Sequence, residues 1–271
     1  MTAPGPMLEA FRNWRRGRIL RRSHLDEGAW RVALEHYPFT RALAADERAR
    51  LRELVVLFLH EKSIVGAGGL ALRDEMRVSI AAQACILILN LGLDYYRGWV
   101  EVIVYPDEFV AEYDYVDEDG VAHHVEAPLT GESWHEGPVI LSWADAELRG
   151  ADPGYNVVIH EFAHKIDMLN GDANGFPPLH PGMDPAGWAR AFGAAYEDFR
   201  DRVARGAGTA IDPYAAEHPA EFFAVLSEAF FETPGAVLAE YGEVYRQLAA
   251  FYRQDPAARG ARQPLAEAGA T

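Results

Sequence analysis

Cysteine is nearly absent. Cys85 stands alone in 271 residues, so no intramolecular disulfide can form and no cysteine-based zinc cluster can be assembled. Basic charge is also scarce: 25 lysines and arginines face 41 aspartates and glutamates, for a net charge of −16. That balance argues against general nucleic-acid binding, which needs concentrated positive charge. Long apolar runs are missing as well. The stretch 80–93 is too short to cross a bilayer and is broken by Gln83 and Asn90, and no apolar segment follows the N-terminal charges as in a signal peptide. The expectation is a cytoplasmic protein with no membrane and no nucleic-acid partner. With 49% hydrophobic residues the chain can still bury a substantial core. One domain is expected over 24–255, preceded by an Arg-rich arm at 1–23 and followed by a flexible tail at 256–271.

The arm departs from the acidic average. Arg12, Arg15, Arg16, Arg18, Arg21 and Arg22 are interleaved with Phe11, Trp14, Ile19 and Leu20. Such a patch suits anionic lipid, nucleic acid or an acidic partner. The plainer reading is a solvated arm packed on its own acidic domain, and no function is assigned to it.

Helical spacing marks 30–34, ended near Pro38, and 46–59, where Leu51, Leu54, Val55 and Phe58 share a face. Residues 66–70 read as a turn, since they lack the Lys-Ser/Thr of a phosphate loop. Asp74 is expected to open a long buried helix running to about Leu91 and closed by Gly92, with Cys85 as an inert buried thiol. Residues 100–105 read as a strand ended by Pro106. Next come a hairpin turning at Asp117-Glu118-Asp119-Gly120 and a further strand over 138–143. The fold class is therefore α+β, mostly helical, with a small, mostly antiparallel sheet whose edge can take up an extended peptide. His123 and His124 are neighbours on a strand and point to opposite faces, so neither they nor His135 are chosen as ligands.

Directly after this sheet stands Val157-Val158-Ile159-His160-Glu161-Phe162-Ala163-His164-Lys165-Ile166-Asp167, which contains H-E-x-x-H. A helix turns about 100° per residue, so His160 and His164 lie about 40° apart on neighbouring turns and can reach one ion. Asp152 is the expected N-cap, Pro153 the first helical residue and Gly171 the stop. Ile159, Phe162, Ala163, Ile166 and Leu169 form the face to be buried, while His160, His164 and Asp167 share another. The loop at 170–187 suits either a lid or a surface connection.

Catalytic zinc normally takes three protein ligands and leaves one position to water. The metzincin continuation fails, because Asp167 and Asn170 stand where its Gly and third His belong. A later apolar helix carries Glu221 and Glu228 seven residues apart on one face. A buried carboxylate needs a partner; a metal ion would suit Glu221, and a ligand histidine would suit Glu228. Solvated helix carboxylates remain the alternative for both, and Glu217 and His218 are nearby rivals.

The segments His160–Asp167, Ile211-Asp212-Pro213-Tyr214-Ala215-Ala216 and 219–228 resemble the MtfA family (Mlc titration factor A, or DgsA anti-repressor) of zinc-dependent cytoplasmic peptidases. The likeness extends through 80–85 and 139–143 and covers most of 55–255. It implies a gluzincin-like zincin domain holding Zn2+ through His160, His164 and Glu221, with Glu161 as general base. Tyr214 matches a family tyrosine whose hydroxyl can point at the zinc; a core tyrosine is the alternative. A peptide or protein substrate follows, with aminopeptidase and endopeptidase action both open. The family also binds the transcriptional repressor Mlc in enterobacteria. An Mlc-like partner is therefore a further implication, with a regulatory binding module of little peptidase activity as the rival reading.

Overall fold

The computed structural model describes residues 6–107, 109–116, 122–129, 131–133, 137–147 and 154–262. The hairpin turn at 117–120, His135, Asp152, Pro153 and residues 263–271 of the tail lie outside the described residues, as do the side chains of His123 and His124.

The N-terminal helices are α1 (Pro6–Arg22), α2 (Glu27–His36), α3 (Pro38–Arg41) and α4 (Ala45–Glu61). Asp26 caps α2 by accepting from the Ala29 N–H, and Tyr37, extended before Pro38, separates α2 from α3. Strand β1 (Ser63–Gly66) follows, then α5 (Asp74–Leu87). Gly66 is required at its position, because a Cβ there would meet the Leu70 carbonyl oxygen at 2.0 Å. α5 is buried continuously from Ile80 to Leu87, so it forms the centre of the molecule. It ends at Leu87, short of the expected Leu91. The chain leaves it through tight turns to Gly92, whose φ of 87° suits glycine. Cys85 is fully buried there, and burial pushes its thiol well up, consistent with an inert core residue.

The remaining strands are β2 (Glu101–Tyr105), β3 (Phe109–Val116), β4 (Ala122–Leu129), β5 (Gly131–Ser133) and β6 (Val139–Ser142). β3 and β4 form the expected antiparallel hairpin, with Tyr113 opposite Val125. The main sheet corrects the expectation of a mostly antiparallel one. Its order is β1-β2-β6-β5, with β1, β2 and β6 mutually parallel and β5 alone antiparallel to its neighbour. Strand direction is set by connection: α5 carries the chain back across the sheet between β1 and β2, which imposes parallel pairing. The β1 segment is four residues long and merges with a glycine-rich turn, leaving no alternation to read.

The second half comprises α6 (Trp143–Glu147), α7 (Val157–Asp167), α8 (Pro185–Ala204), α9 (Pro219–Glu232), α10 (Pro234–Glu240), α11 (Gly242–Tyr252) and α12 (Pro256–Arg262). α7 packs between α5 and α9 and borders β5 and β6. Phe58, Tyr96, Trp99 and Phe162 form one aromatic cluster behind it, and Trp188, Phe192, Phe223 and Phe251 form another beside α9. Among the described residues no helix is long and apolar enough to cross a membrane.

Candidate metal centre

α7 begins at Val157, later than expected, because Asn156 and not Asp152 is its N-cap. The Asn156 side-chain oxygen accepts from the Ile159 N–H at 2.9 Å. Asn156 also joins three neighbours. Its Nδ2 donates to Gln83 of α5 at 2.9 Å and to Glu232 of α9 at 2.8 Å, and its backbone N–H donates to Glu228. One residue thus fixes the start of α7 to both helices that flank it. The cue was an asparagine directly before an apolar run.

The apolar stripe packs inward as its spacing requires: Ile159, Phe162, Ala163 and Ile166 are each 0% exposed. The opposite side presents His160 and His164 to the first turn of α9. Pro219 opens that helix, and His218 caps it by accepting from the Ala220 N–H at 3.2 Å. His218 is therefore a cap and Glu217 is exposed, so neither rivals Glu221.

Glu221 Oε2 lies 3.0 Å from His160 Nε2 and 3.3 Å from His164 Nε2, and the two nitrogens are 3.1 Å apart. Ligand atoms placed tetrahedrally about 2.0–2.1 Å from one ion stand about 3.3 Å from each other, so the triangle has the size of a metal site. A second observation agrees. Glu221 Oε2 is buried and, beyond the two facing imidazole nitrogens, has no hydrogen-bond donor among the described residues, which is costly for a carboxylate oxygen without a cation. Burial raises the Glu221 carboxyl, but the adjacent His160 and His164 imidazoles outweigh it and hold the group below the ordinary carboxylate range. His160, His164 and Glu221 together can hold a metal ion.

Glu228, two turns further along α9, is 2% exposed and receives His160 Nδ1 at 2.7 Å. The contact leaves Nε2 facing the site, the arrangement a metal-binding imidazole needs. Burial opposes charge on the His160 ring, but Glu228 and Glu221 on either side outweigh it and raise its pKa well above the ordinary value. Burial likewise raises Glu228, with His160 opposing.

Glu161 is 5% exposed, and its charge acts on His160, Lys165 and Tyr214. Tyr214 lies in a short 3-10 turn, Pro213–Ala216, capped by Asp212. It is half-exposed, with its ring centroid 6.1 Å from that of His160, so it is not the core tyrosine of the alternative reading. Partial burial and the nearby Glu221, Glu217 and Glu161 raise its pKa, keeping the hydroxyl a donor.

Asp167 is not among the converging ligands. It is fully buried, and its Oδ2 accepts from the Asn174 and Gly175 N–H groups at 2.8 and 2.7 Å. Burial raises its carboxyl despite those donors. Gly175 in turn has φ 77° and sits so close to Pro219 that a Cβ would meet its carbonyl oxygen at 2.4 Å. Asp167 and Gly175 therefore join the end of α7 to the start of α9, where Glu221 sits. Trp188 Nε1 donates to the Gly175 carbonyl at 3.1 Å and His180 Nε2 to that of Phe251 at 2.7 Å, so the 170–187 loop is a fastened connection.

Sequence reasoning also passed over the lysines. The chain has two, Lys62 and Lys165, and both are buried with their ammonium groups 3.9 and 5.3 Å from the Trp99 ring centroid. Burial brings both down to about 8. Lys62 donates to the carbonyls of Tyr96 and Trp99, and Lys165 to that of Gly137 at 2.8 Å, tying α7 to the segment between β5 and β6.

The sequence profile described as glucose-regulated metallo-peptidase M90 matches residues 11–253. The chain is similar to Mlc titration factor A of Klebsiella pneumoniae, with 36% identity over 245 residues covering 90% of this chain and 92% of that protein. It is also similar to the Salmonella arizonae protein of the same name, with 40% identity over 219 residues covering 80% and 87% respectively. By these matches along most of its length, the chain belongs to the glucose-regulated metallo-peptidase M90 family, the MtfA family that its sequence segments resemble.

Proposed function

We propose that the chain is a zinc-dependent peptidase, with His160, His164 and Glu221 as ligands and Glu161 as general base. The convergence of three ligand atoms, two imidazole nitrogens and one buried carboxylate oxygen, carries the proposal. Two histidines and one glutamate leave a fourth position open, as catalytic sites do. When bound, zinc supplies a Lewis acid that brings the pKa of a water towards ~7 and polarises the scissile carbonyl. Glu161 takes the proton from the attacking water and passes it to the leaving amine. Tyr214 donates its hydroxyl hydrogen to the developing oxyanion, where a lost donor typically costs about 10²–10³ in kcat. Glu228 keeps the His160 ring in register through Nδ1. A substrate peptide lies extended along β5, which among the described strands is paired on one side only and borders α7. The lone buried thiol suits a reducing cytoplasm.

The test is hydrolysis of peptides with free and blocked amino termini by metal-loaded and chelated protein. Cleavage that chelation abolishes and zinc restores supports the proposal, and blocked peptides separate endopeptidase from aminopeptidase action. A metal-loaded protein that cleaves none of them overturns it. A second reading rests on the relatives' name, Mlc titration factor A: the chain binds an Mlc-like transcriptional repressor. Capture of such a repressor by both metal-loaded and chelated protein would assign that role to the scaffold independently of the metal.

A further inference from the structure

The two sides of α1 meet different surroundings. One side carries Arg12, Arg16, Ile19 and Leu20. There Ile19 is buried, Leu20 packs on the core, and the two guanidiniums reach Asp94 at 3.1 and 2.8 Å. These contacts fix the helix to the body. At about 100° per residue, the other side gathers Phe11, Trp14, Arg15, Arg18, Arg21 and Arg22, all exposed. Phe11 and Trp14 are 60% and 54% exposed, although both are large apolar rings.

Charge is segregated in the same way. Residues 6–22 hold six arginines and one glutamate, which leaves −21 on the rest of a chain whose total is −16. We propose that the outer face of α1 docks on the anionic surface of a lipid bilayer. The four arginines take the lipid phosphates while the two rings enter the headgroup boundary, where apolar rings gain what water denies them. The acidic body is repelled by the same surface, so the molecule approaches with α1 foremost. The Asp94 pairs hold the face preformed.

Stacking geometry favours a bilayer over single-stranded nucleic acid. Trp14 is flanked along the helix by the Phe11 ring, stacked at 5.9 Å, and by the Arg18 guanidinium, 5.7 Å from its centroid. Both neighbours crowd the indole on which a base would have to stack, and stacking is what single-strand binders depend on. Two exposed rings set among four arginines call for an apolar layer directly beneath a sheet of anions, which a bilayer boundary supplies. Docking departs from the expectation of no membrane partner, because net charge averages over a basic face and an acidic body. It does not depend on the peptidase proposal.

The experiment is cosedimentation of the full-length protein with vesicles of phosphatidylcholine alone or containing about one-third phosphatidylglycerol. The expected result is binding to the anionic vesicles alone, lost as salt rises to about 0.5 M. Arg15→Glu with Arg18→Glu should abolish binding, and Phe11→Ser with Trp14→Ser should weaken it about tenfold or more. Circular dichroism and thermal melting should stay unchanged in both double variants. Equal sedimentation with both vesicle types, or binding insensitive to both double substitutions, would overturn the proposal. So would tighter capture, through the same residues, of a single-stranded oligonucleotide or of a second copy of the chain.

Discussion

α7 and α1 both carry charge, and they place it in opposite surroundings. In α7, Glu161, His164, Lys165 and Asp167 are 5%, 8%, 3% and 0% exposed, whereas in α1 the arginines at 15, 18, 21 and 22 stand in water. A buried charge is tolerated only with partners in fixed positions, so its neighbours are dictated. Exposed charges are screened and contribute little to stability, which leaves them available to an outside partner. Substitutions in the α7–α9 region should therefore have large, specific effects, and those in α1 small ones on everything except docking.

The largest effect should come from Glu161→Gln. Peptide hydrolysis should fall by about 10³ or more while the metal content stays that of the parent, measured by steady-state kinetics beside elemental analysis. Next comes Glu228→Ala, which strands the His160 ring nitrogen and the Asn156 N–H in a buried site. Metal affinity should drop about 10–100-fold in chelator competition, with Glu228→Gln between the two.

Glu232 gives a smaller effect that depends on pH. Burial first, then the neighbouring Glu228, pushes its carboxyl up to about 7 from an ordinary 4.5. Between those values the folded protein keeps a proton that the unfolded chain has lost, so this group makes stability fall as pH rises from about 4.5 through about 7. Glu232→Gln keeps an oxygen for Asn156 and removes the charge. It should stabilise the protein by on the order of 2 kcal/mol at pH 8 and by little at pH 4, read from denaturant melts. The smallest effect should be that of Asp94→Asn, which loosens the half-exposed α1 anchor. About 1 kcal/mol or less is expected, and a much larger loss would show that α1 belongs to the cooperative core.

Helices with strong periodicity were legible in the sequence, and so was the pairing of His160 with His164, because i and i+4 on a helix fix the two side chains relative to each other. Glu221 was legible as a carboxylate that would be stranded on an apolar helix without a cation. The direction of the sheet was not, since pairing depends on how α5 carries the chain between β1 and β2 and leaves no mark in strand composition. Asn156 was hidden behind Asp152-Pro153, a stronger local cap signal than the one the tertiary contacts select. The roles of Lys62 and Lys165 were hidden because cation-π contacts join residues 37 and 66 positions from Trp99.

The proposed metal site stands on Glu221 as the third ligand beside His160 and His164. Metal analysis of the purified parent and of Glu221→Ala, with thermal melts to confirm folding, tests it most directly. One equivalent of zinc is expected in the parent and none in a folded Glu221→Ala; undiminished zinc in that variant would place Glu221 outside the site.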